Sequence, residues 1–455
     1  MSAQAVAGTS SGITWSPAVR VSMDSATSNL PHCLVRGDTI NLVWFGIDEF
    51  LTLAMDGVEV SRSTDGGATF SPPVSILPFD ICLTAPVAAQ GGENILVAVA
   101  AVIDTSYGTF LVRSTDAGAT WSSPVLVRSA AFPVVIAAEN DLALLETIDP
   151  VTKAHVVLKS TNGGAGWVLA SGSPPEFTDL LVRDGVAHGV GPASSRILHE
   201  VGYFSSRTDG SSWYGPEYLS SEDVTKSERG SIAINDRGDL FAVWSDTGDV
   251  TARSSRNNGI FWGPHSILSR RPGTVTTDIA ADAEFVVVVW DNDTGGTGEI
   301  RLRSSDDFGE TYGPEENPVN THSAAEPAVV VTDSVVHLTW HEHHGDTCEV
   351  YYRRGAMAHN PDAVTRPPEA YRLRQNYPNP FNGRTVIEYE LPAASHVSLA
   401  LFDLLGRKVL SLVEGTQDVG RYIVPVDGDA LPSGIYFYHL RTSSFSETKK
   451  LTVIR

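Results

Sequence analysis

A short polar turn ending in an aromatic residue recurs six times along this chain of 455 residues, at steps of 46 to 51, and a seventh, partial copy lies near the N-terminus. The clearest copies are Ser63 to Phe70, Ser114 to Trp121 and Ser305 to Tyr312, all reading S-x-D-x-G-x-T-aromatic. Their paired landmarks are Asp65 and Gly67, Asp116 and Gly118, and Asp307 and Gly309. Weaker copies end at Trp167, Trp213 and Trp262, with Asn162, Thr208 and Asn257 in the Asp place. The partial copy, Gly8 to Trp15, keeps Gly12, Thr14 and the Trp.

Each turn follows a β-branched run such as Val58-Glu59-Val60 and precedes another that leads to a Pro-rich step, so it belongs on a hairpin. Asp or Asn accepts hydrogen bonds from turn amides, and the glycine two residues later supplies positive φ. The aromatic is left to bury against a neighbouring unit. Between turns lie a strand beginning near Pro or Asp (Pro31, Pro86, Pro133, Asp179, Asp278, Pro327) and an apolar strand often ending in Trp, as at Trp44, Trp244, Trp290 and Trp340. All nine Trp fall on one of the two repeat positions, so they read as structural.

Repeats of 40 to 50 residues with four short strands each define β-propeller blades. Seven three-strand sets can be counted. The last, closing on Glu349 to Arg353, lacks an outer strand, whereas Trp15 to Ser22 is an outer strand without a set. The economical solution lets the N-terminal strand complete the last blade and remove the open edge. The expected fold is therefore all-β: a seven-bladed β-propeller over 13–358, closed by its N-terminal strand, then a linker over 359–372 and a small Ig-like β-sandwich over 373–455. Residues 1–12 precede the propeller.

Charge divides unevenly between the two parts. The chain carries −22, while residues 371 to 455 hold ten basic and eight acidic groups, leaving −24 on the rest. Such acidity disfavours nucleic acid and anionic membrane surfaces as partners. No apolar run approaches transmembrane length. Met1 to Gly12 shows neither a basic n-region nor an apolar h-region, and the expectation is that a leader was removed and replaced by Met1. Of the three cysteines, Cys33 and Cys82 lie in adjacent blades and could pair, and the odd count leaves at least one free.

After Arg366-Pro367-Pro368 the pattern changes to short alternating strands without Trp. Leu373 to Asn382, reading LRQNYPNPFN, is followed by Val386 to Pro392, Leu401 to Val409, Leu431-Pro432-Ser433-Gly434-Ile435-Tyr436, and the terminal Glu447 to Arg455. This series resembles the C-terminal sorting domains of type IX secretion cargo from Bacteroidota-like bacteria. Gly383-Arg384 stands where the family usually has Pro-Ser. The resemblance implies export across the outer membrane of a Gram-negative bacterium to the surface or medium, with the type IX machinery as partner and Asn376, Pro378, Pro380, Lys449, Lys450 and Arg455 as signal residues.

The turns resemble the Asp boxes, or BNR repeats, of sialidases and related propellers. That resemblance implies that the boxes lie on the face away from the active site, and that the loops between second and third strands carry function. A sialidase of this kind needs three arginines on the substrate carboxylate, an acidic Asp, and a Tyr activated by Glu. Where an Arg-Ile-Pro sequence is expected, this chain has Asn29-Leu30-Pro31-His32. The inner strand starts supply only Arg229, after Glu228. Tyr352 falls where the family keeps its nucleophile, although a tyrosine there also suits strand packing.

Acidic residues gather just past the second strands: Asp48, Glu49, Asp104, Asp149, Asp246, Asp249, Asp291, Asp293, and the run His341-Glu342-His343-His344-Gly345-Asp346. Ligand contacts are expected from Arg229, Glu228, Asp246, Asp291, Asp293, Glu342 and Tyr352. Metal contacts are expected from His341, His343, His344 and Asp346, with Ca²⁺ suited to oxygen ligands and a transition ion to imidazole. The bland alternative is a solvated loop tip. The reading is a secreted or surface-displayed monomeric propeller that binds glycans or surface polymers. The alternative is a glycoside hydrolase of sialidase-like architecture.

Overall fold

The computed structural model describes residues 12–22, 27–47, 57–77, 81–194, 199–220, 227–246, 248–270, 274–293, 298–319, 321–345, 347–357, 371–376, 379, 381, 384–428 and 431–454. Every regular element among them is a β-strand. The chain divides into two compact units, Met1–His359 and Asn360–Arg455.

The first unit consists of seven antiparallel sheets in chain order. The first comprises Thr27–Arg36, Thr39–Ile47, Gly57–Ser63 and Val74–Leu77. The next five span 81–129, 132–171, 179–218, 227–269 and 274–305. In the seventh, Ala324–Thr332, Val335–His344 and Thr347–Met357 are joined by Ile13–Trp15 and Val19–Arg20. Ile13 pairs with Met357 and Val19 with Tyr352, so the two ends of the unit share one sheet.

The leading strands touch in sequence: Thr27–Arg36, Val87–Gly91, Phe132–Glu139, Asp179–Arg183, Ser227–Ile234, Thr274–Asp282, Ala324–Thr332, and then Thr27–Arg36 again. This closed cycle explains the composition of the second strands. They are covered by neighbouring sheets, and several are continuous apolar runs, as in Leu96 to Ala101 and Phe285 to Trp290, all within 2 % exposure. Fourth strands lie at the periphery, and Val125, Val168 and Tyr214 on them are exposed.

The box glycines do more than bend the chain. Gly67 has φ +85°, and a β-carbon there would fall 2.3 Å from the Tyr352 ring, on the preceding sheet. Gly118 meets Asn41 of the first sheet at 1.9 Å in the same way, and Gly259 meets Tyr203 of the fourth at 2.3 Å. The repeat therefore packs each turn against the sheet before it, and its aromatic follows: Phe70 lies 5.1 Å from Tyr352 and Trp262 5.2 Å from Tyr203, both edge to face.

Two details depart from the regular count. After Tyr312 the described residues form no fourth strand, only a bridge between Leu302 and Glu316; Pro314 and Pro318 flank it, and proline cannot donate to a ladder. The second sheet gains a short strand, Ile81–Cys82, against Ala101 and Val102. Cys33, Cys82 and Cys348 are all buried and outside any disulfide, which corrects the Cys33–Cys82 pairing open to the sequence.

The second unit has a three-stranded sheet (Arg372–Leu373, Arg384–Leu391, Gly420–Asp427) and a four-stranded one (Lys408–Gln417, Ser395–Phe402, Gly434–Arg441, Ser446–Val453). One apolar core, including Phe381, Tyr389, Leu399, Tyr438 and Leu451, draws on both.

Candidate functional site

In a four-stranded antiparallel meander, the turn between strands three and four lies at the opposite end of the sheet from the turn between strands two and three. The boxes occupy the former. Ser63 Oγ donates to Asp65 Oδ1 (2.8 Å), while the Gly67 amide donates to Ser63 Oγ (2.9 Å). Asp65 also accepts from the Thr69 amide (2.9 Å) and hydroxyl (2.6 Å). Asp116 and Asp307 repeat the pattern with Thr120 and Thr311. The Thr donors, ahead of Ser, hold the carboxyls of Asp65 and Asp116 down at about 2. These groups are spent on their own turns.

At the other end, three of the acidic residues prove to be tied down as well. Asp291 Oδ1 accepts from the Thr276 amide (2.7 Å) and Oδ2 from the Glu326 amide (3.1 Å), joining the sixth sheet to the seventh. Asp149 caps its own turn through the Val151 and Thr152 amides. Glu342 Oε1 accepts from Trp340 Nε1 (2.8 Å) and the Thr321 hydroxyl (3.4 Å). Asp246 ends its strand opposite Asp249. The backbones of Glu228 and Arg229 lie in Ser227–Ile234 and that of Asp293 in Phe285–Asp293; their side chains lie outside the described set. Asp48, Glu49 and Asp346 lie outside the described residues.

Tyr352 does not reach this rim. It is fully buried, its hydroxyl bonded to His337 Nδ1 at 2.8 Å, and burial drives its pKa upward. His188 and Tyr203 form the same pair at 2.6 Å beneath Gly259, so the arrangement is a repeated packing device. This corrects its expected ligand role. Several arginines are struts: Arg353 Nε donates to the Ser16 carbonyl, and Arg253 reaches the Trp262 and Leu219 carbonyls.

The seventh sheet concentrates the unusual chemistry. His343 pairs with Cys348 across the hairpin, and His341 lies two residues along the same face. His341 Nε2 is 3.3 Å from His343 Nε2, and Cys348 Sγ is 3.0 Å from His343 Nδ1. Glu326 Oε2 lies 3.4 Å from His341 Nδ1. His341 and Cys348 are buried and His343 is exposed. Burial, reinforced by the charge of His343, lowers the His341 pKa to about 4. Among the described residues this is the one group of three or more such side chains with metal-ligand proximity. His344 belongs to the opposite face, 3.7 Å from both Glu342 and Glu349, and Arg20 pairs with Glu349 at 2.6 Å.

Sequence reasoning passed over three carboxylates. Glu146, fully buried, accepts from the Phe177 amide (3.2 Å) and pairs with His155 at 2.7 Å; burial raises its carboxyl, and the carboxylate raises His155. Asp179 and Asp278 occupy the place that Pro takes in other repeats. Each links adjacent leading strands, Asp179 Oδ2 to the Ile232 amide and Asp278 Oδ2 to the Val329 amide. Desolvation raises them to about 6 and about 7, and the charge of Asp179 adds to the shift at Asp278. Their common signal was an Asp at a repeat position otherwise given to Pro.

In the second unit, Asn376 is buried, its amide N–H donating to the Tyr438 hydroxyl (2.6 Å) and its Nδ2 to Thr385 Oγ1 (3.0 Å). Asn379 clasps the terminal strand through the Lys450 carbonyl and the Thr452 amide. Lys449 pairs with Glu447 at 3.0 Å, and Lys450 is exposed. Pro378, Pro380 and Arg455 lie outside the described residues.

The cycle of small sheets places the first unit among all-β, propeller-like proteins. Its likeness to an ulvan lyase of a polysaccharide lyase family, bound to -[GlcA(1-4)Rha3S]-, has a TM-score of 0.50 at 12% identity and covers 77% of this chain and 99% of that one. A protein of unknown function from Dyadobacter fermentans is similar at TM-score 0.47 and 14% identity, over 76% of this chain and 99% of its own. A Trypanosoma rangeli sialidase is similar at TM-score 0.43 and 9% identity, over 93% and 84%. No curated protein matches the sequence. Residues 375–454 match the secretion system C-terminal sorting domain family. The chain thus carries an export signal of Bacteroidota-type bacteria, which implies secretion or outer-surface display through the type IX machinery. Among the described residues no helix is long and apolar enough to cross a membrane.

Proposed function

We propose that the first unit is a seven-bladed Asp-box propeller, closed by its N-terminal strands, that serves outside the cell as a binding module for glycans or other surface polymers. An Ig-like sorting sandwich carries it there. The reading takes 13–358 and 373–455 as the two domains, 359–372 as their linker, and the protein as a monomer. The observation that carries it is the state of the rim carboxylates: Asp291, Asp149 and Glu342 are already engaged by backbone amides, an indole and a hydroxyl. Groups fixed in this way suit a preformed polar surface better than the paired acid and base of a hydrolase. The likeness to a polysaccharide-bound fold supports the ligand class.

A glycoside hydrolase is the second reading, and the Glu146–His155 pair favours it: His155 is partly exposed, and the buried carboxylate 2.7 Å away raises its pKa, so the imidazole is the group that can present a proton to a substrate. Glycan-array binding, paired with turnover assays on sialosides, β-glucans and sulfated or uronate-bearing polymers, separates the two. Saturable binding without turnover is the expected result. Turnover lost in Glu146→Gln, with the fold intact, would establish the hydrolase instead.

A further inference from the structure

We propose that His341, His343 and Cys348 form a binding site for a single borderline transition-metal ion of the Zn²⁺ class. The two strands of one hairpin bring all three to the same face, and their donor atoms lie within 4.8 Å of one another. Two nitrogens held about 2.0–2.1 Å from one tetrahedral ion stand roughly 3.3–3.4 Å apart. His341 Nε2 and His343 Nε2 are 3.3 Å apart; Cys348 Sγ, 3.0 Å from His343 Nδ1 in the metal-free chain, would turn from that nitrogen to the ion on binding.

The surroundings also fit a metal. Glu326 Oε2 lies 3.4 Å from His341 Nδ1 without hydrogen-bonding it, and a small turn of the carboxylate would give the carboxylate–histidine arrangement that orients imidazole ligands. Glu326 is itself positioned, because its amide donates to Asp291. His341 and Cys348 form a buried floor, and the exposed His343 leaves a path from solvent. Binding would replace the Cys348 S–H bond with a metal–thiolate bond and release the proton to solvent. Two imidazoles and a thiolate select late first-row ions over Ca²⁺ and Mg²⁺, which prefer oxygen. Three protein ligands leave a fourth position open for water or a ligand group. His344, turned to Glu342 and Glu349, takes no part.

The test uses the full chain, reduced and stripped with a chelator, then titrated with Zn²⁺ by calorimetry and with Co²⁺ by absorption. The expected result is one equivalent bound, with tetrahedral ligand-field bands and a thiolate-to-cobalt charge-transfer band, unaffected by excess Ca²⁺. Cys348→Ser should remove the charge-transfer band, and His341→Ala the saturable binding. Glu326→Gln should weaken affinity about 10- to 100-fold, and His344→Ala should change nothing. Thermal melts of the metal-free variants identify any that misfold, and Glu326→Gln, which alters no ligand, serves if His341→Ala does. No stoichiometric binding by the parent chain, a charge-transfer band that survives Cys348→Ser, or equal loss in His344→Ala would overturn the proposal.

Discussion

Tyr352 and Gly67 meet so closely that a β-carbon on the glycine would fall 2.4 Å from the tyrosine hydroxyl oxygen. The contact joins the seventh sheet to the first, between residues 285 positions apart in sequence. Gly67→Ala must therefore both strain a backbone at φ +85° and displace a fully buried ring. With about 1 kcal/mol for the backbone and about 1–3 kcal/mol for overpacking, the expected loss is about 2–4 kcal/mol. Chemical denaturation of the variant checks it. A loss below about 1 kcal/mol would mean that the ring swings away freely and that this seam is not tight.

The boxes should weaken in acid. Asp65 and Asp116 are held at about 2, below the 3.8 of an unperturbed carboxyl, chiefly by the Thr69 and Thr120 donors. A depressed acid contributes stability that is complete above about pH 4 and fades as the pH falls toward 2. Melting temperature followed from pH 5 to pH 2 should therefore drop less steeply in Asp65→Asn/Asp116→Asn than in the parent. Parallel curves would show that the boxes do not prefer the ionised form.

Asp179 and Asp278 predict the opposite slope. Their folded values, about 6 and about 7, lie above 3.8, so the native state binds more protons than the unfolded chain between about pH 4 and pH 7. Stability from this pair is greatest at the acidic end of that window and declines as the pH rises. Asp278→Asn also loses an acceptor for the Ile279 or Val329 amide, which lowers stability at every pH. The informative quantity is the slope, which should flatten in the variant across pH 4–7; an unchanged slope would rule out a raised Asp278.

The scaffold was legible because its cause is periodic: the box and the second-strand Trp recur, and their spacing counts sheets. The site was less so. His341 and His343 stood out as a run, but Cys348 becomes their neighbour only through the hairpin register that sets it opposite His343. Tyr352 stood where a family nucleophile would fall, yet strand alternation turns it inward toward His337 and Gly67. Asp179 and Asp278 were visible as exceptions to Pro. Their service as acceptors between adjacent leading strands requires the closed cycle, which no local pattern encodes.

The sorting signal should be, in part, a folding element. Asn376 is buried and bonded to Thr385 and Tyr438, while Asn379 holds the terminal strand at Lys450 and Thr452. Asn376→Ala removes the buried hydrogen bond from Asn376 Nδ2 to the Thr385 hydroxyl, at a cost of about 0.5–1.5 kcal/mol. An effect on folding of the second unit should appear as earlier protease cleavage within 371–454 while the first unit stays resistant. An effect on export should appear as less protein at the surface or in the medium. Lys450→Ala removes an exposed side chain whose carbonyl, not its ammonium, holds Asn379, so it should leave the protease pattern unchanged. If Asn376→Ala stops export with no change in protease resistance, the secretion machinery reads Asn376 directly, and its buried hydrogen bonds are not what the signal protects.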